Sequence, residues 1–221
     1  IERCRVFVGT VSTFSSKTEL FRLKTFDVAI VDEATQILEP QLLGLLCARN
    51  VAGGNAIGKF ILIGDHKQLP AVVLQSESQS EVCEDCLHNI GLHNLKDSLF
   101  ERLYRNSADT THHLSLITNR SYDMLCRQGR MNVEVAAFPN RAFYGGLLQP
   151  VGLEHQTGVL KLSPQLSADE FAALLTRRVA FLPSVPEPPM QSAKMNRSEA
   201  KIVAGLAAAV YRQYTFAEGR F

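Results

Sequence analysis

The sequence predicts an α/β fold, a parallel sheet with flanking helices, and three observations carry that prediction. Residues 6–8, 28–31 and 60–63 are short apolar runs rich in β-branched side chains. Runs that are apolar at every position suit strands buried on both faces, as in a parallel sheet covered by helices. Helix-like stretches alternate with them, notably residues 40–49 with Leu42, Leu43, Leu45 and Leu46, and such alternation marks an α/β architecture. Each run also ends in polar or small residues: Gly9-Thr10, Asp32-Glu33 and Gly64-Asp65. In open parallel sheets ligands bind at the carboxyl ends of the strands, so a site is expected where these residues gather.

Beyond the third run, residues 75–127 are polar and irregular, with one helix-like piece at 95–104. The last third is regular again. Ser167 followed by Glu170 reads as a capping box that opens a helix to about Arg178. Residues 179–182 are a strand candidate, followed by a linker holding Pro183, Pro186, Pro188 and Pro189. Asn196 and Glu199 form a second capping-box pattern, ahead of a helix with Ile202, Val203, Leu206, Ala209 and Val210 along one face. The sequence has no internal repeat.

Composition sets wide bounds. A chain of 221 residues can hold one large domain or two small ones. Hydrophobic residues at 46% and charged residues at 20% give the balance of a soluble globular protein. Lys and Arg number 23 against 22 Asp and Glu, a formal charge of +1, so bulk electrostatics do not point to nucleic acid. A local basic groove can still bind a strand while the whole molecule stays near neutral. The five scattered cysteines suggest reduced thiols and a cytoplasmic home. There is no signal-peptide pattern and no apolar run of bilayer-spanning length, so no membrane partner is expected. The chain opens on Ile1 without Met and closes at Phe221 after a long helical pattern. Both ends read as cuts through something larger.

Two segments carry chemistry. Phe26-Asp27-Val28-Ala29-Ile30-Val31-Asp32-Glu33-Ala34-Thr35 puts two acids directly after a buried strand. Such a pair suits phosphoryl chemistry, one carboxylate holding Mg²⁺ through water and the next polarising the attacking water. The plainer alternative is that both acids favour the positive end of a following helix. Phe60-Ile61-Leu62-Ile63-Gly64-Asp65-His66-Lys67-Gln68-Leu69-Pro70 repeats the architecture. Gln68 could orient a water or touch a terminal phosphate, and Lys67 adds charge close by. Here the alternative is ordinary turn chemistry in Gly-Asp and Leu-Pro. Two such strand-terminal clusters in one chain argue against coincidence.

At these residues the chain resembles superfamily 1 helicases. Asp32-Glu33-Ala34-Thr35 is similar to their motif II, and Gly64-Asp65-His66-Lys67-Gln68-Leu69-Pro70 to their motif III. The closer likeness is to subgroup 1B, in the branch of the replication helicase–nuclease and the nonsense-mediated-decay helicase. Val8-Gly9-Thr10 resembles the strand-contacting motif placed before motif II. Gln128-Gly129-Arg130-Met131, followed by Ala137-Phe138-Pro139-Asn140 and Phe143-Tyr144-Gly145-Gly146, resembles the Gln-Tyr-Arg-Met block. Asn196-Arg197-Ser198-Glu199-Ala200 matches a recurrent Asn-x-x-Glu-Ala helix start.

The resemblance implies an incomplete RecA-like P-loop NTPase core that uses ATP and Mg²⁺ to move along or unwind single-stranded DNA or RNA. It implies Asp32 as the Mg²⁺ ligand through water, Glu33 as the base for water and Gln68 as sensor of the γ-phosphate. Arg130 becomes the arginine that neutralises phosphate charge, against the plainer reading of a solvated surface arginine. Asp65, Lys67 and Gln128 fall at nucleotide-binding positions, and Thr10 and Pro70 at positions that contact the strand. The expected organisation is residues 1–74 as part of a first RecA-like domain, 75–113 as a variable insertion, and 114–221 as part of a second.

Departures from the family pattern matter as much. Gly129 stands where the family has Tyr, which removes any base or ribose stacking from that position. Ala71 replaces a common second proline, and the stretch from Pro70 to Gln128 is longer than usual, which implies an insertion. The phosphate-loop pattern is nearly met by Gly53-Gly54-Asn55-Ala56-Ile57-Gly58-Lys59-Phe60. Phe60 has no hydroxyl for Mg²⁺ and the segment precedes a strand rather than joining strand to helix, so it is read as a surface turn. The true loop is expected before Ile1 and the last motifs beyond Phe221, so this stretch alone should not hydrolyse ATP. The remaining core segments would be required partners. Cys83-Glu84-Asp85-Cys86, with His88 and His93 nearby, could hold zinc, although the irregular spacing favours a plain thiol pair. A second function class stays open: a helicase-derived module that has lost catalysis and only binds nucleic acid or protein.

Overall fold

The computed structural model describes residues 3–108, 121–159, 161–166, 168–184 and 195–218. They fall into two compact units, meeting in sequence between Asp123 and Met124.

The first unit begins with Val11–Ser16 (α1) and Glu19–Leu23 (α2). Thr10 caps α1, its hydroxyl accepting a hydrogen bond from the Thr13 N–H at 3.1 Å. Phe26–Val31 (β1), Glu39–Leu46 (α3) and Ile57–Leu62 (β2) then form a strand–helix–strand unit. The strands pair in parallel, with Val28 opposite Lys59, Ile30 opposite Ile61 and Val31 opposite Leu62. A parallel pair needs a long crossover, and α3 provides it. Pro40 in the first turn of α3 gives up no helical hydrogen bond there, and the Gln41 carboxamide accepts from the Leu38 N–H at 3.0 Å.

One face of this sheet is packed. Ala29, Val31, Phe60 and Leu62 meet α1, α2 and α3 in two adjoining clusters, around Phe21, Leu45 and Ile57 and around Val31, Ala34, Leu42 and Leu99. The opposite face is open among the described residues, with Val28, Ile30, Ile61 and Ile63 all exposed. Burial on both faces, expected from the uniformly apolar runs, is thus met on one face only.

The expected strand at residues 6–8 is not formed: these residues pair with no strand and Val8 is 93% exposed. Phe7 packs edge-on to Phe26 with ring centroids 5.4 Å apart, and Lys24 lies over the Phe7 ring. Apolar β-branched residues make a strand only where a neighbouring backbone completes the ladder.

Residues 75–108 pack within the first unit. Glu77–Ser80 (α4) and Asp85–His88 (α5) sit in a loop closed by hydrogen bonds from Val82 N to His93 O (3.0 Å) and from Leu95 N to Ser80 O (2.8 Å). Leu99–Ala108 (α6) follows, four residues later than the helix expected from residue 95. Leu99 joins the core beside Leu42. Arg102 makes a two-pronged, buried ion pair with Glu39 of α3, at 2.7 and 2.6 Å, and donates to the Ile90 carbonyl at 2.8 Å. Nearby, Arg105 bonds Asp97 and Glu101, and these carboxylates, Asp97 first, raise its pKa above the ordinary arginine value.

The second unit holds Arg127–Gln128 (β3) and Gln149–Pro150 (β4), a short parallel pair, with Val133–Phe143 (α7) between them. Asn132 caps α7 through the Glu134 N–H at 2.9 Å. Asn140 clamps the return loop with paired bonds to Leu148, both 2.9 Å. Glu154–Thr157 (α8) and Glu170–Leu174 (α9) precede the 22-residue helix Arg197–Glu218 (α10). Leu166, in the turn before α9, packs with Ala172 of α9 and Ala209 of α10 to form a core.

Three expectations change here. The helix expected to reach about Arg178 ends at Leu174, and Asp169 caps it by accepting from the Ala172 N–H at 3.0 Å. Ser167, expected as that cap, lies outside the described residues, as do Pro186, Pro188, Pro189 and the stretch 114–120 where a second domain was expected to open. Residues 179–182 form no strand, and Phe181 is 90% exposed. The Asn196 cap of the final helix is present, its side chain accepting from the Glu199 N–H at 3.1 Å.

Candidate functional site

The carboxyl ends of β1 and β2 are stitched together beyond the strands themselves. Ile63 N–H donates to Val31 O at 2.8 Å, and Ala34 N–H returns to Ile63 O at 2.7 Å. Asp32 and Glu33 lie between these bonds, and Glu33 stands at φ 52°, ψ 38°, alone among the described non-glycine residues with positive φ. That left-handed conformation is unfavourable for a side chain with Cβ, and such strain gathers at functional positions. Both Asp32 and Glu33 are exposed. One Asp32 oxygen accepts from the Glu33 N–H at 3.0 Å, and its other oxygen has no hydrogen bond among the described residues. The Glu33 carboxylate receives only a long contact from Gln36, at 3.4 Å.

Gly64 brings the second cluster against the first. A Cβ built on Gly64 would lie 3.0 Å from the Thr35 backbone nitrogen and 3.0 Å from its Cγ2. Only a glycine lets the two loops approach this closely. Asp65 then organises its own turn: one oxygen accepts from the Lys67 N–H at 3.0 Å, the other from the Gln68 carboxamide at 2.9 Å. Lys67, Gln68 and Pro70 are exposed. The His66 ring stacks on Tyr104 of α6 at 4.3 Å between centroids, which ties this loop to the helix that carries Arg102. Thr10 is exposed at the start of α1, next to Val11, whose side chain packs against the core that holds Val31 and Ala34.

In the second unit, Gln128 spends its side chain on the turn it opens. Its carboxamide oxygen accepts from the N–H groups of Arg130 (3.0 Å) and Met131 (2.7 Å), and its nitrogen donates to Met131 O at 2.9 Å. Arg130 projects from that turn, exposed, with no side-chain hydrogen bond or ion pair among the described residues. Sequence reasoning did not single out Gln156, wholly buried at 0% exposure, or His155, which bond the same turn from behind. A polar residue in a Gly- and Gln-rich stretch carries no periodic signal that would have marked it.

The near-match to a phosphate loop is a surface turn. The Asn50 side-chain oxygen accepts from the N–H groups of Ala52 and Gly54, both at 3.0 Å, and the chain runs directly into β2. Cys83 and Cys86 are exposed, and among the described residues no group of three or more His, Cys, Asp or Glu is arranged to hold a metal. Nor is any described helix long and apolar enough to cross a membrane.

A family model described as an AAA domain matches residues 1–76. The chain is 33% identical over 130 residues to the DNA replication ATP-dependent helicase/nuclease DNA2 of Mus musculus, covering 59% of this chain and 9% of that protein. It is 31% identical over 144 residues to an ATP-dependent helicase of Methanocaldococcus jannaschii, 65% of this chain and 16% of the relative. To the 3'-5' exoribonuclease HELZ2 of Mus musculus it is 32% identical over 152 residues, 67% of this chain and 4% of the relative. The chain thus spans about a tenth of the length of the first relatives it matches.

Proposed function

We propose, from the premise that this chain is superfamily 1 helicase-like with an α/β RecA-like fold, that it carries the hydrolysis and sensing residues of an ATP-driven motor on single-stranded DNA or RNA. The observation that carries this reading is the joining of the two strand-end loops: Ala34 bonded to Ile63, and Gly64 seated on Thr35. That contact gathers Asp32, Glu33, Asp65, Lys67 and Gln68 onto one edge of one sheet.

The donor chemistry suits a hydrated Mg²⁺ and the phosphates of ATP. Asp32, with one oxygen free of hydrogen bonds among the described residues, would hold the ion through water. When bound, Mg²⁺ neutralises charge on the phosphates. Glu33, exposed just past the end of β1, takes a proton from the attacking water. Asp65 holds Gln68 in place, so that Gln68 reads the terminal phosphate while Lys67 adds positive charge. Gln128 fixes the turn from which Arg130 neutralises charge in the transition state. Thr10 and Pro70 meet the strand. The phosphate loop belongs to other segments of the full-length protein, so this stretch alone does not turn over ATP.

Phosphate release by the full-length protein, with and without a single strand, tests the reading beside Glu33→Gln. Strand-stimulated release that collapses in the variant is the expected result. A folded, ATP-binding protein that releases no phosphate would overturn the motor. One observation favours the second reading, a binding module without catalysis: Gly129 supplies no side chain to stack on a base or ribose. The same experiment separates the two.

A further inference from the structure

The turn at Gln128, Gly129, Arg130 and Met131 is held from two sides. Gln128 grips it from within. From behind, the side-chain nitrogen of Gln156 donates to Gln128 O at 2.8 Å and to Met131 O at 3.3 Å. Its oxygen accepts from the N–H groups of Gly152 (3.0 Å) and Leu153 (3.1 Å). A carboxamide has two donors and two acceptor sites, and all four are used here in full burial. The neighbouring His155 donates from Nε2 to Gly129 O at 2.9 Å, while its own carbonyl accepts from the Asn132 side chain at 3.2 Å. The carbonyls before and after Arg130, on Gly129 and Met131, are therefore both bonded by side chains of α8.

We infer that His155 and Gln156 are positioning residues that set where the Arg130 guanidinium stands, by fixing the backbone turn from which it projects. The inference rests on the reading of Arg130 as the residue that neutralises phosphate charge. A long side chain magnifies any tilt at its root, and a misplacement of about 1 Å at a reacting centre costs up to ~100-fold in rate. The wholly satisfied Gln156 removes the slack that such a four-residue turn otherwise has.

The test is steady-state ATP hydrolysis by the full-length protein with saturating single strand. His155 is exposed, so its variants keep the fold; Gln156→Glu and Gln156→Ala are paired with thermal melts. His155→Ala lowers kcat by ~10-fold or more with the KM for ATP unchanged. His155→Gln, which restores an N–H donor at the same reach, recovers most of that loss. Gln156→Glu keeps the two acceptor bonds but loses both donor bonds to the turn, and lowers kcat as Gln156→Ala does. In an Arg130→Lys background, which keeps some turnover, His155→Ala has little further effect, because both changes act through one group.

Equal activity of His155→Ala and wild type overturns the inference. So does a multiplicative loss in the Arg130→Lys background, or a failure of His155→Gln to recover. If Arg130→Ala itself leaves hydrolysis unchanged, the role given to Arg130 falls and the inference falls with it. That outcome is read from Arg130 alone, before any α8 variant is considered.

Discussion

Gly64 and Thr35 touch across the ends of the two strands, with 3.0 Å between the Thr35 nitrogen and the place a Gly64 Cβ would occupy. Thr35 is itself buried, so it has little room to give way. A Gly64→Ala substitution therefore pushes the acidic loop away from the Asp65–Gln68 turn. The expected cost is about 1–3 kcal/mol of stability, measured by urea denaturation, with a fall in strand-stimulated hydrolysis larger than the stability loss explains.

Glu39 and Arg102 stake the helix after the second loop to the helix after the first. Breaking a buried ion pair from one side strands a charge, so Arg102→Met should destabilise by about 3–5 kcal/mol. Replacing both partners by Met should recover most of that loss, because the desolvation of two ions is then avoided as well. Equal destabilisation by the single and the double variants would show that Glu39 finds another partner.

The left-handed backbone at Glu33 sets stability against function. Glu33→Gly relieves the Cβ crowding and should leave the protein as stable as wild type or up to about 1 kcal/mol more stable. Strand-stimulated phosphate release should still fall by about 100-fold or more, the usual contribution of a general base. A thermal melt and a hydrolysis assay on one preparation check both halves. A less stable Glu33→Gly variant would mean that the side chain does structural work that the weak Gln36 contact does not reveal.

What was legible in the sequence follows from what each signal measures. The strands at 26–31 and 57–62 showed in part, as the apolar runs 28–31 and 60–63 with polar terminators, because burial on the sheet's packed face and a site at the strands' carboxyl ends both leave marks in composition. The same apolar signature at residues 6–8 and 179–182 misled, since a ladder needs a partner that no local pattern reports. The Glu39–Arg102 pair was invisible because its members stand 63 residues apart and each reads singly as a surface charge. One clue existed: Arg102 follows Leu99 by three residues, on the apolar face of its helix, where an unpaired cation would be costly. Among the candidate residues, the strand-end position of Asp32, Glu33 and the Gly64–Gln68 turn was legible through clustering of polar residues after the apolar runs. Gln156 was not, since its importance lies in four backbone bonds that only the folded turn creates.

The thiols separate a plain pair from a zinc pair. Cys4, Cys47, Cys83 and Cys86 are exposed and Cys126 is partly buried. A thiol reagent under native conditions should therefore show four fast thiols and one slower one. Prior treatment with a chelator should not change the count. A rise of two fast thiols after chelation would assign zinc to Cys83 and Cys86.

Gly129 offers the last prediction, because the fold does not require a glycine there. Its φ is not positive, unlike that of Gly145, Gly146 and Gly152 in the same unit. A Cβ at this position would meet Val151 at 3.5 Å and Leu153 at 3.6 Å, ordinary van der Waals contacts. Gly129→Ala should therefore stabilise the protein by about 0.4–1 kcal/mol, since it restricts the unfolded chain and adds apolar contact. Tyrosine is the residue that the helicases this chain resembles have between Gln and Arg. If that position faces the nucleotide, Gly129→Tyr in the full-length protein should lower the KM for ATP while stability holds. If stability holds and KM does not move, the turn positions Arg130 without itself touching the nucleotide, and the glycine marks a contact that this chain does without.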